Sequence, residues 1–447
     1  MNQRRFVVAV QRCGLCVVAL FALFGLTACK LGAPPAATPV PSNSAQSPVT
    51  ITFWHTQTGA SRAQLNAFAS DFKKVYPWIT VRAEGKSNDG DLLRQGIAAL
   101  ALNQTPDFVI AGPRPIADFA RREALVNLDS FLNDPSLGLS AEERGDLLPG
   151  ALEIGRFPEL GNRLYSFPFD ARAVALYYNA GLLRAAKFNA PPRTWDEFGA
   201  AVRSATRNSV RGWVMWPDAT VFYALLFSQG GSVLNDMQTG SQLGSAATLR
   251  LLQLIAALSK GDAGYLAASA DSARDEFAQG NAAFWFGTTN DVSAVTVAVS
   301  KAGSNLEWGI ATIPQQDPDR AVTVLFGENI AIFRTSPERE RAAWLFARWL
   351  ATPEQSARWS RVSFGIPVRL SAPSLLAADP PLGLPLASIN NLINPLPTGR
   401  GIPTVKDAAN IDAAIVELWT AVATGADPTA ALSRTVQRVN RALGQTP

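Results

Sequence analysis

Strand-like and helix-like segments alternate at the start of the folded part of this chain, and this alternation constrains the fold most. Residues 49–54 are β-rich and nearly alternate in polarity, whereas 63–76 carry apolar residues at helical spacing and end before a proline. The segments 79–83, 91–102 and 108–111 then predict a strand, a helix and a strand. Such alternation favours a mostly parallel sheet covered by helices on both faces, so the predicted fold class is α/β.

The first 28 residues have the layout of a secretory signal peptide. Three arginines within the first twelve residues precede an apolar run over 13–24, which is too short for a membrane span. Small residues at positions 27 and 28 come directly before Cys29, and this arrangement resembles the lipobox of bacterial lipoproteins. The resemblance implies that Cys29 becomes the lipidated first residue of the mature protein. An ordinary signal peptide, or an N-terminal anchor helix with a chance cysteine, is the alternative.

A proline-rich stretch follows the cysteine. Residues 30–48 hold five prolines among small and polar residues, so an extended, disordered linker is expected, with folded structure beginning near Val49. The remainder, up to residue 447, is too long for one compact core, and two lobes are therefore expected. No later apolar run is long enough to cross a bilayer.

Composition excludes several classes of function. The net charge of +4 falls to about +1 once the three N-terminal arginines leave with the signal peptide, so neither a nucleic-acid partner nor a polybasic membrane surface is expected. Cys13 and Cys16 leave as well, so the mature chain has no cysteine pair for a disulfide or a thiolate metal site. His55 is the only histidine. Without a nucleophile–base pair or metal-ligand spacing, we predict no catalytic residue, metal or cofactor.

Short motifs occur along the chain in an order that is typical of one family. The motifs are Phe53-Trp54-His55, Pro168-Phe169-Asp170, Leu176-Tyr177-Tyr178-Asn179, the PPRTWDEF segment at 191–198, Thr352-Pro353-Glu354-Gln355 and Gly365-Ile366-Pro367. In the fourth motif, Thr194 and Glu197 also predict a helix N-terminus, because their side chains satisfy free N–H groups reciprocally. From about 49 to 443 the chain resembles the extracellular solute-binding proteins, family 1, of bacterial ABC importers. It is most similar to the branch that binds sugars and glycerol phosphates.

The resemblance implies a two-lobed, periplasmic-binding-protein-like fold that is hinged across a central cleft. The lobes would close on a solute and present it to a membrane permease, with hinges near 166–170 and 331–334. The implied protein is an extracytoplasmic monomer that is anchored to the cell membrane through Cys29. The implied bounds are 1–28 for the signal peptide, 29–48 for the linker, 49–165 with about 282–333 for the N-terminal lobe, and 166–281 with about 334–447 for the C-terminal lobe.

Aromatic and polar residues at strand ends suit a sugar ligand, since aromatic rings cover its apolar face while carboxylates and amides bond its hydroxyls. The chain holds 11 tryptophans, and open α/β sheets place ligands where strands run into loops. After the first and third strands, the ligand-binding candidates are Thr56, Gln57, Gly112 and Arg114. For the preceding His55, packing within the lobe is the favoured interpretation. For Gly112 and Arg114, a simple proline-rich turn is the alternative.

Further candidates lie in the middle of the chain. Asp170, at the crossing between the lobes, is either a solute ligand or part of a cap or hinge salt bridge. Trp216 is the preferred stacking platform, with Asp218 beside it. Alternation along its strand directs Trp285 to the face opposite its two neighbours, where it either faces the cleft or packs in the core.

The last candidates lie in two turns. Glu328 and Asn329 precede the strand-like segment 330–333, where the family often places a glycine-rich turn against the ligand. Phe364 lies in a turn in which relatives commonly carry a tyrosine. The equivalent position here is Gly365, so that contact is either missing or supplied by Phe364.

Charge favours a neutral sugar or oligosaccharide over a glycerol phosphate. The glycerol-phosphate branch has a basic side chain near the stretch equivalent to 402–412, where this chain offers Lys406 among two aspartates, and Asp170 and Glu328 would repel a phosphate. A glycerol phosphate or another polyol phosphate is the alternative solute. Two other classes of function are an extracellular carbohydrate hydrolase that uses Asp170 and Glu328, and a lipoprotein that recruits proteins and has a vestigial cleft.

Overall fold

The computed structural model describes residues 47–377 and 398–445, and all of these from residue 48 on belong to the compact unit 48–447. The predicted signal peptide, Cys29 and nearly all of the predicted linker lie outside the described residues. The strands are β1 (Val49–His55), β2 (Ile79–Gly85), β3 (Phe108–Ala111), β4 (Arg156–Phe157), β5 (Arg163–Leu164), β6 (Phe167–Pro168), β7 (Arg172–Asn179), β8 (Arg211–Met215), β9 (Gly264–Leu266), β10 (Ala282–Thr288), β11 (Trp308–Thr312), β12 (Val322–Phe326), β13 (Asn329–Ile332) and β14 (Thr398–Arg400).

Helices cover most of the remaining described chain. The helices are α1 (Gly59–Val75), α2 (Asp89–Ala101), α3 (Pro113–Arg121), α4 (Asp129–Leu132), α5 (Ala141–Gly145), α6 (Ala180–Ala185), α7 (Trp195–Ala205), α8 (Ala219–Ser228), α9 (Ala246–Lys260), α10 (Ala270–Ala278), α11 (Asp291–Ala302), α12 (Pro337–Leu350), α13 (Pro353–Ser363), α14 (Pro373–Ala377), α15 (Ala408–Ala423) and α16 (Pro428–Ala442). In the part of the chain that the structure describes, no helix combines the length and hydropathy that a bilayer span requires.

The first sheet has the strand order β2-β1-β3-β13-β6. Successive residues of β1 point to opposite faces, so Phe53 packs in one buried cluster with α1 and α12, and Trp54 packs in another with α2 and α3. Both faces of this sheet are therefore covered by helices. We call this sheet with its helices the first lobe.

The second sheet has the order β14-β12-β7-β10-β8-β9, and β11 also pairs with β7. Helices α7, α8, α9, α15 and α16 cover one face, and α10 and α11 cover the other. Phe284 and Phe286 lie in the first of these clusters and Trp285 lies in the second, as alternation predicted. We call this sheet with its helices the second lobe.

The α/β class is confirmed, but both sheets are mixed instead of mostly parallel. In the first sheet β1 is parallel to β2 and β3, whereas β13 is antiparallel to β3 and β6. In the second sheet β7 is antiparallel to β10, β11 and β12. The reason is that strands such as β13 reach their sheet by a direct crossing from the other sheet, which reverses their direction, and not through a covering helix.

The crossings also correct the predicted lobe bounds. Strands β10, β11 and β12 belong to the second sheet, although 282–333 was assigned to the N-terminal lobe. Helices α12 and α13 pack in the core of the first lobe, where Trp344 and Trp359 are buried with Phe53, although 334–447 was assigned to the C-terminal lobe. Local periodicity identifies a strand or a helix but carries no information on which sheet receives it.

Two segments cross side by side between the sheets. The first, 169–171, links β6 to β7, and the second, 327–328, links β12 to β13. The two segments are in direct contact, since the Asp170 N–H donates a hydrogen bond to the Glu328 carbonyl at 3.0 Å. The predicted crossing at 166–170 agrees with the first segment, whereas 331–334 lies beyond the second, in β13 and the residues after it. Gly327 has φ +144°, and a Cβ there would lie 2.2 Å from the Asp170 carbonyl oxygen, so only glycine fits this crossing.

Candidate functional site

Three charged groups lie together at the crossing segments. The Asp170 side chain is 0% exposed, and its Oδ2 accepts a hydrogen bond from Arg172 Nε at 2.8 Å. Ser363 Oγ, at the end of α13, lies 3.4 Å from Asp170 Oδ1. Glu328 is buried beside them on the second crossing. We call Asp170, Arg172 and Glu328 the hinge cluster.

The loop after β1 contacts the hinge cluster. Gln57 Nε2 donates to both carboxylate oxygens of Glu328, at 2.6 and 2.7 Å, and Thr56 Oγ1 lies 3.5 Å from Oε1. His55 Nδ1 accepts the Gln57 backbone N–H at 3.0 Å. Burial, with a smaller effect of Arg62, lowers the pKa of His55 to about 4, so the ring is neutral and can accept this bond. His55 therefore positions Gln57, in agreement with the predicted packing role.

Electrostatics single out Glu328. Burial raises its pKa to about 7, and the negative charges of Asp170 and Asp89 contribute to the rise, whereas Arg172 opposes it. Burial also raises the pKa of Asp170 despite its bond to Arg172. At neutral pH, Glu328 is therefore poised between its charged and neutral forms.

One cavity, of about 430 Å³, is lined by both lobes, and we call it the arginine cavity. Asn329, 1% exposed, donates from Nδ2 to Ser166 Oγ at 3.1 Å, while its Oδ1 has no hydrogen-bond partner among the described residues. Arg400 donates to the Gly231 carbonyl and Ser232 Oγ, and its guanidinium lies 4.1 Å from the centre of the Phe227 ring. The lining also includes Pro113, Glu153, Arg156, Asp236, Gln238, Phe326 and Gly327.

A second cavity, of about 270 Å³, is lined by the second lobe, and we call it the tryptophan cavity. Trp216 is 38% exposed, an unusual value for so large an apolar side chain. Asp218 caps α8 by accepting the Val221 N–H at 2.9 Å. Trp285 also lines this cavity, although it is 7% exposed and its ring packs 4.9 Å from that of Tyr177. The remaining lining includes Asp271, Arg274, Phe326, Thr288 and Asp291.

The structure thus brings most predicted site residues into adjoining groups. Thr56, Gln57, Asp170 and Glu328 meet at the crossings, whereas Trp216, Asp218 and Trp285 share the tryptophan cavity and Asn329 lines the arginine cavity. Gly112 caps α3, and a Cβ there would lie 3.2 Å from Asp89 Oδ2. Phe364 is half-buried and ends α13 in the left-handed conformation, with φ 57°.

Arg114 contacts the second lobe, and its predicted contact with a solute stays a prediction. Its guanidinium forms a bidentate pair with Asp412 of the second lobe, at 2.5 and 2.9 Å, and Nε donates to the Pro403 carbonyl. Tyr223 OH donates to the same carboxylate at 2.5 Å. Arg114 therefore bridges the two lobes, and three of its five N–H donors are used in bonds within the protein.

Gly365 explains the departure from the family's tyrosine. A Cβ at this position would lie 2.1 Å from Asp170 Oδ1 and 3.1 Å from the Ala171 carbonyl oxygen. A tyrosine could not occupy this backbone position while the Asp170 side chain keeps its place. The hinge cluster here therefore requires a glycine.

Four further residues at the site were not among the predicted ones: Asp89, Arg172, Phe326 and Arg400. Asp89 is exposed at the first turn of α2, after β2, which is a strand end like the others. Arg172 follows Asp170 by two residues, so its pairing was available as a local signal. Arg400 lies two residues before the stretch in which a basic side chain was sought. Nothing in the local sequence singles out Phe326.

Comparison with known proteins gives one consistent picture. The family model for bacterial extracellular solute-binding proteins matches residues 56–357. The sn-glycerol-3-phosphate-binding periplasmic protein UgpB of Salmonella paratyphi A is 21% identical over 420 residues, covering 88% of this chain and 92% of that protein.

Solved structures agree in fold. The cyclic alpha-maltosyl-1,6-maltose binding protein of Arthrobacter globiformis has a TM-score of 0.75 at 20% identity, with 89% of this chain and 99% of that chain covered. The sugar-binding protein MalE of Xanthomonas citri also has a TM-score of 0.75 at 20% identity, with 89% and 98% covered. The two-lobed α/β fold is confirmed by these neighbours.

Proposed function

Because the chain belongs to the bacterial extracellular solute-binding proteins, we propose that it captures a neutral sugar or oligosaccharide between its lobes for an ABC importer. The solute would be handed, chemically unchanged, to the membrane permease subunits. Closure of the lobes around the crossings at 169–171 and 327–328 would enclose it. The proteins with similar folds include binders of maltose-type sugars, as their names state.

The observation that carries the proposal is the tryptophan cavity. Trp216 offers an accessible aromatic face, and Asp218 beside it keeps one carboxylate oxygen free of the capping bond to Val221. An aromatic face with carboxylate acceptors at its rim matches the apolar face and hydroxyl rim of a sugar ring.

A thermal-shift screen of mono- and oligosaccharides and glycerol phosphates tests the proposal, because a solute that favours the folded state raises the apparent melting temperature. For the solute found, Trp216→Ala should weaken binding by about 1–3 kcal/mol in calorimetry, the free energy of burying one large apolar side chain. Trp78→Ala, in the first lobe and remote from both cavities, is the matched control. Unchanged affinity in Trp216→Ala would contradict this placement of the site.

A glycerol phosphate is the second candidate, and Arg400 favours it. In the part of the chain that the structure describes, no carboxylate is bonded to this guanidinium, which lines the arginine cavity. Guanidinium groups bind phosphate strongly, and the UgpB relatives bind sn-glycerol-3-phosphate, as their name states. If glycerol 3-phosphate binds more tightly than neutral sugars and Arg400→Gln abolishes that preference, this candidate replaces the first.

We propose that no bond in the solute is made or broken. In support, the Asp170 carboxylate is buried and bonded to Arg172, so it has no free face toward a glycosidic bond. Incubation with the solute found in the screen, followed by chromatography of the products, tests this point. Stoichiometric recovery of intact solute is expected, and any released product would indicate a hydrolase.

We propose that Cys29 carries a lipid that holds the mature protein at the outer side of the cell membrane, as a monomer. The small residues before Cys29 support this placement, and the UgpB relatives are periplasmic by name. Cys29→Ala should lose incorporation of labelled fatty acid and move from the membrane fraction to the soluble one. Retention of Cys29→Ala in the membrane fraction would contradict the anchor.

A further inference from the structure

Glu328 lies where both lobes and both crossings meet. It belongs to the second crossing, and its carbonyl accepts the Asp170 N–H of the first. Gln57, on the loop after β1 of the first lobe, donates to both oxygens of its carboxylate. Arg172, on β7 of the second lobe, also acts on this carboxylate through its charge. A rotation of one lobe against the other about the crossings therefore changes the surroundings of Glu328.

Negative charge prevails around Glu328. Its charged neighbours are two further carboxylates, Asp89 at the first turn of α2 and Asp170, and one cation, Arg172. Arg172 Nε donates to Asp170 Oδ2 at 2.8 Å, so Asp170 holds the ion pair. Asp89 is exposed to water, and the His55 ring at the end of β1 is neutral. Glu328, which is 9% exposed, is therefore the buried carboxyl of this group that lacks an ion pair of its own.

The hydrogen-bond partners of Glu328 suit both its charged and its neutral form. Among the described residues, its carboxylate receives hydrogen bonds only from uncharged side chains, those of Gln57 and, at 3.5 Å, Thr56. The Gln57 Oε1 atom accepts no hydrogen bond from the described residues. A protonated carboxyl is a donor, and the Gln57 amide can turn over so that Oε1 accepts the O–H of the acid. Gain or loss of a proton therefore leaves the link between the crossing and the first lobe intact.

Water at the crossings decides which form of Glu328 is favoured. Burial raises its pKa to about 7, with Arg172 opposing the rise and Asp170 and Asp89 adding to it. Opening of the lobes would admit water to the segments that join them, and water stabilises the charged carboxylate. Closure would remove that water and favour the neutral form. By linkage, whatever favours the neutral form also favours closure.

We propose that closure of the lobes on the solute takes up one proton at Glu328, so that the protein binds its solute more tightly in acidic than in alkaline surroundings. This inference rests on the proposed function, because it concerns the closure that the solute brings about. The proton passes from the solvent to one carboxylate oxygen, and opening returns it to the solvent. A fall in pH therefore promotes capture of the solute, and a rise in pH promotes its release.

The test uses the purified full chain and titration calorimetry with the tightest neutral sugar of the thermal-shift screen, in which maltose and maltotriose are included. Neutral sugars do not titrate in this pH range, so any proton taken up belongs to the protein. At about pH 6, binding enthalpies in two buffers of different ionisation enthalpy, MES and imidazole, should give an uptake of about one proton per solute. Kd should rise about tenfold or more from about pH 5 to about pH 8, because one proton changes Kd by up to about tenfold per pH unit.

Glu328→Gln separates proton uptake from a structural role. Glutamine keeps the shape of the side chain but does not titrate, so the variant should take up no proton on binding, and its Kd should not change over this pH range. Glu142→Gln, the same chemical change at an exposed position of α5, is the control and should keep the uptake.

The proposal is overturned if the wild type takes up no proton, or if Glu328→Gln still takes it up. If Glu328→Gln does not bind the sugar, the carbon-13 shift of the Glu328 carboxyl is followed against pH in the wild type, with and without the sugar. The sugar should raise the midpoint of this titration, and an unchanged midpoint overturns the proposal. Absence of binding by every sugar of the screen would instead refute the proposed function itself, and this inference with it.

Discussion

Replacing Glu328 by glutamine tests the electrostatics of the lobe crossing. Burial raises the pKa of this carboxyl from its ordinary value of 4.5 to about 7. Between these two values the folded protein binds the proton and the unfolded chain does not, so the contribution of Glu328 to the free energy of unfolding falls as pH rises. At about 1.4 kcal/mol per pH unit, the decrease amounts to about 3 kcal/mol and is complete above about pH 7.

Glutamine keeps the shape of the side chain and can still accept a hydrogen bond from Gln57, but it does not titrate. Urea unfolding of both proteins from about pH 4.5 to about pH 8 should therefore show Glu328→Gln gaining about 3 kcal/mol relative to the wild type as pH rises. Every other titratable group is present in both proteins, so its contribution cancels when the free energies of unfolding of Glu328→Gln and the wild type are subtracted. If the difference between Glu328→Gln and the wild type does not change with pH, burial does not perturb this carboxyl and the reasoning fails.

Three further experiments test single sites or contacts. Burial lowers the pKa of His55, so the unfolded chain binds a proton between pH 6.5 and about 4 that the folded protein does not, and the free energy of unfolding falls as pH falls. His55→Gln removes this titration. In urea unfolding over the same pH range, the variant should therefore lose less free energy of unfolding than the wild type, by on the order of 2 kcal/mol. Gly365→Ala should lower the free energy of unfolding by about 1–3 kcal/mol, because the new Cβ would lie 2.1 Å from Asp170 Oδ1. Gly145→Ala is the control and should not destabilise the protein, since a Cβ there has no atom within 4 Å. A double-mutant cycle of Arg114→Gln and Asp412→Asn should give a coupling of about 1 kcal/mol, and additive effects would show that this half-exposed pair does not hold the lobes.

Local features of the fold could be predicted from the sequence. The strand predicted at 108–111 coincides with β3, and α1 and α2 lie within a few residues of their predicted bounds. Thr194 and Glu197 form the predicted capping box. These features depend on neighbouring residues, because periodicity and capping act over one or two turns.

Features that join distant residues could not be predicted. Arg114 pairs with Asp412, which is 298 positions away, so a guanidinium after the third strand gave no sign that its partner lay in the other lobe. Likewise, Phe326 gains its place between two cavities only through the pairing of β12 with β7. The residue types expected at the site could be predicted from the local sequence. Their contact partners could not, because these are set by the segments that cross between the two sheets.

The position of β13 between β3 and β6 has a consequence for biosynthesis. Translation delivers β3 more than two hundred residues before β13, and all strands from β7 to β12 come between them. Until residue 332 has been made, the edge of β3 is an unpaired row of backbone groups, which is the kind of edge that invites aggregation. The first lobe, although it begins the folded chain, therefore cannot complete its sheet until six of the seven strands of the second sheet have been made, and a nascent chain depends on protection of that edge in the meantime.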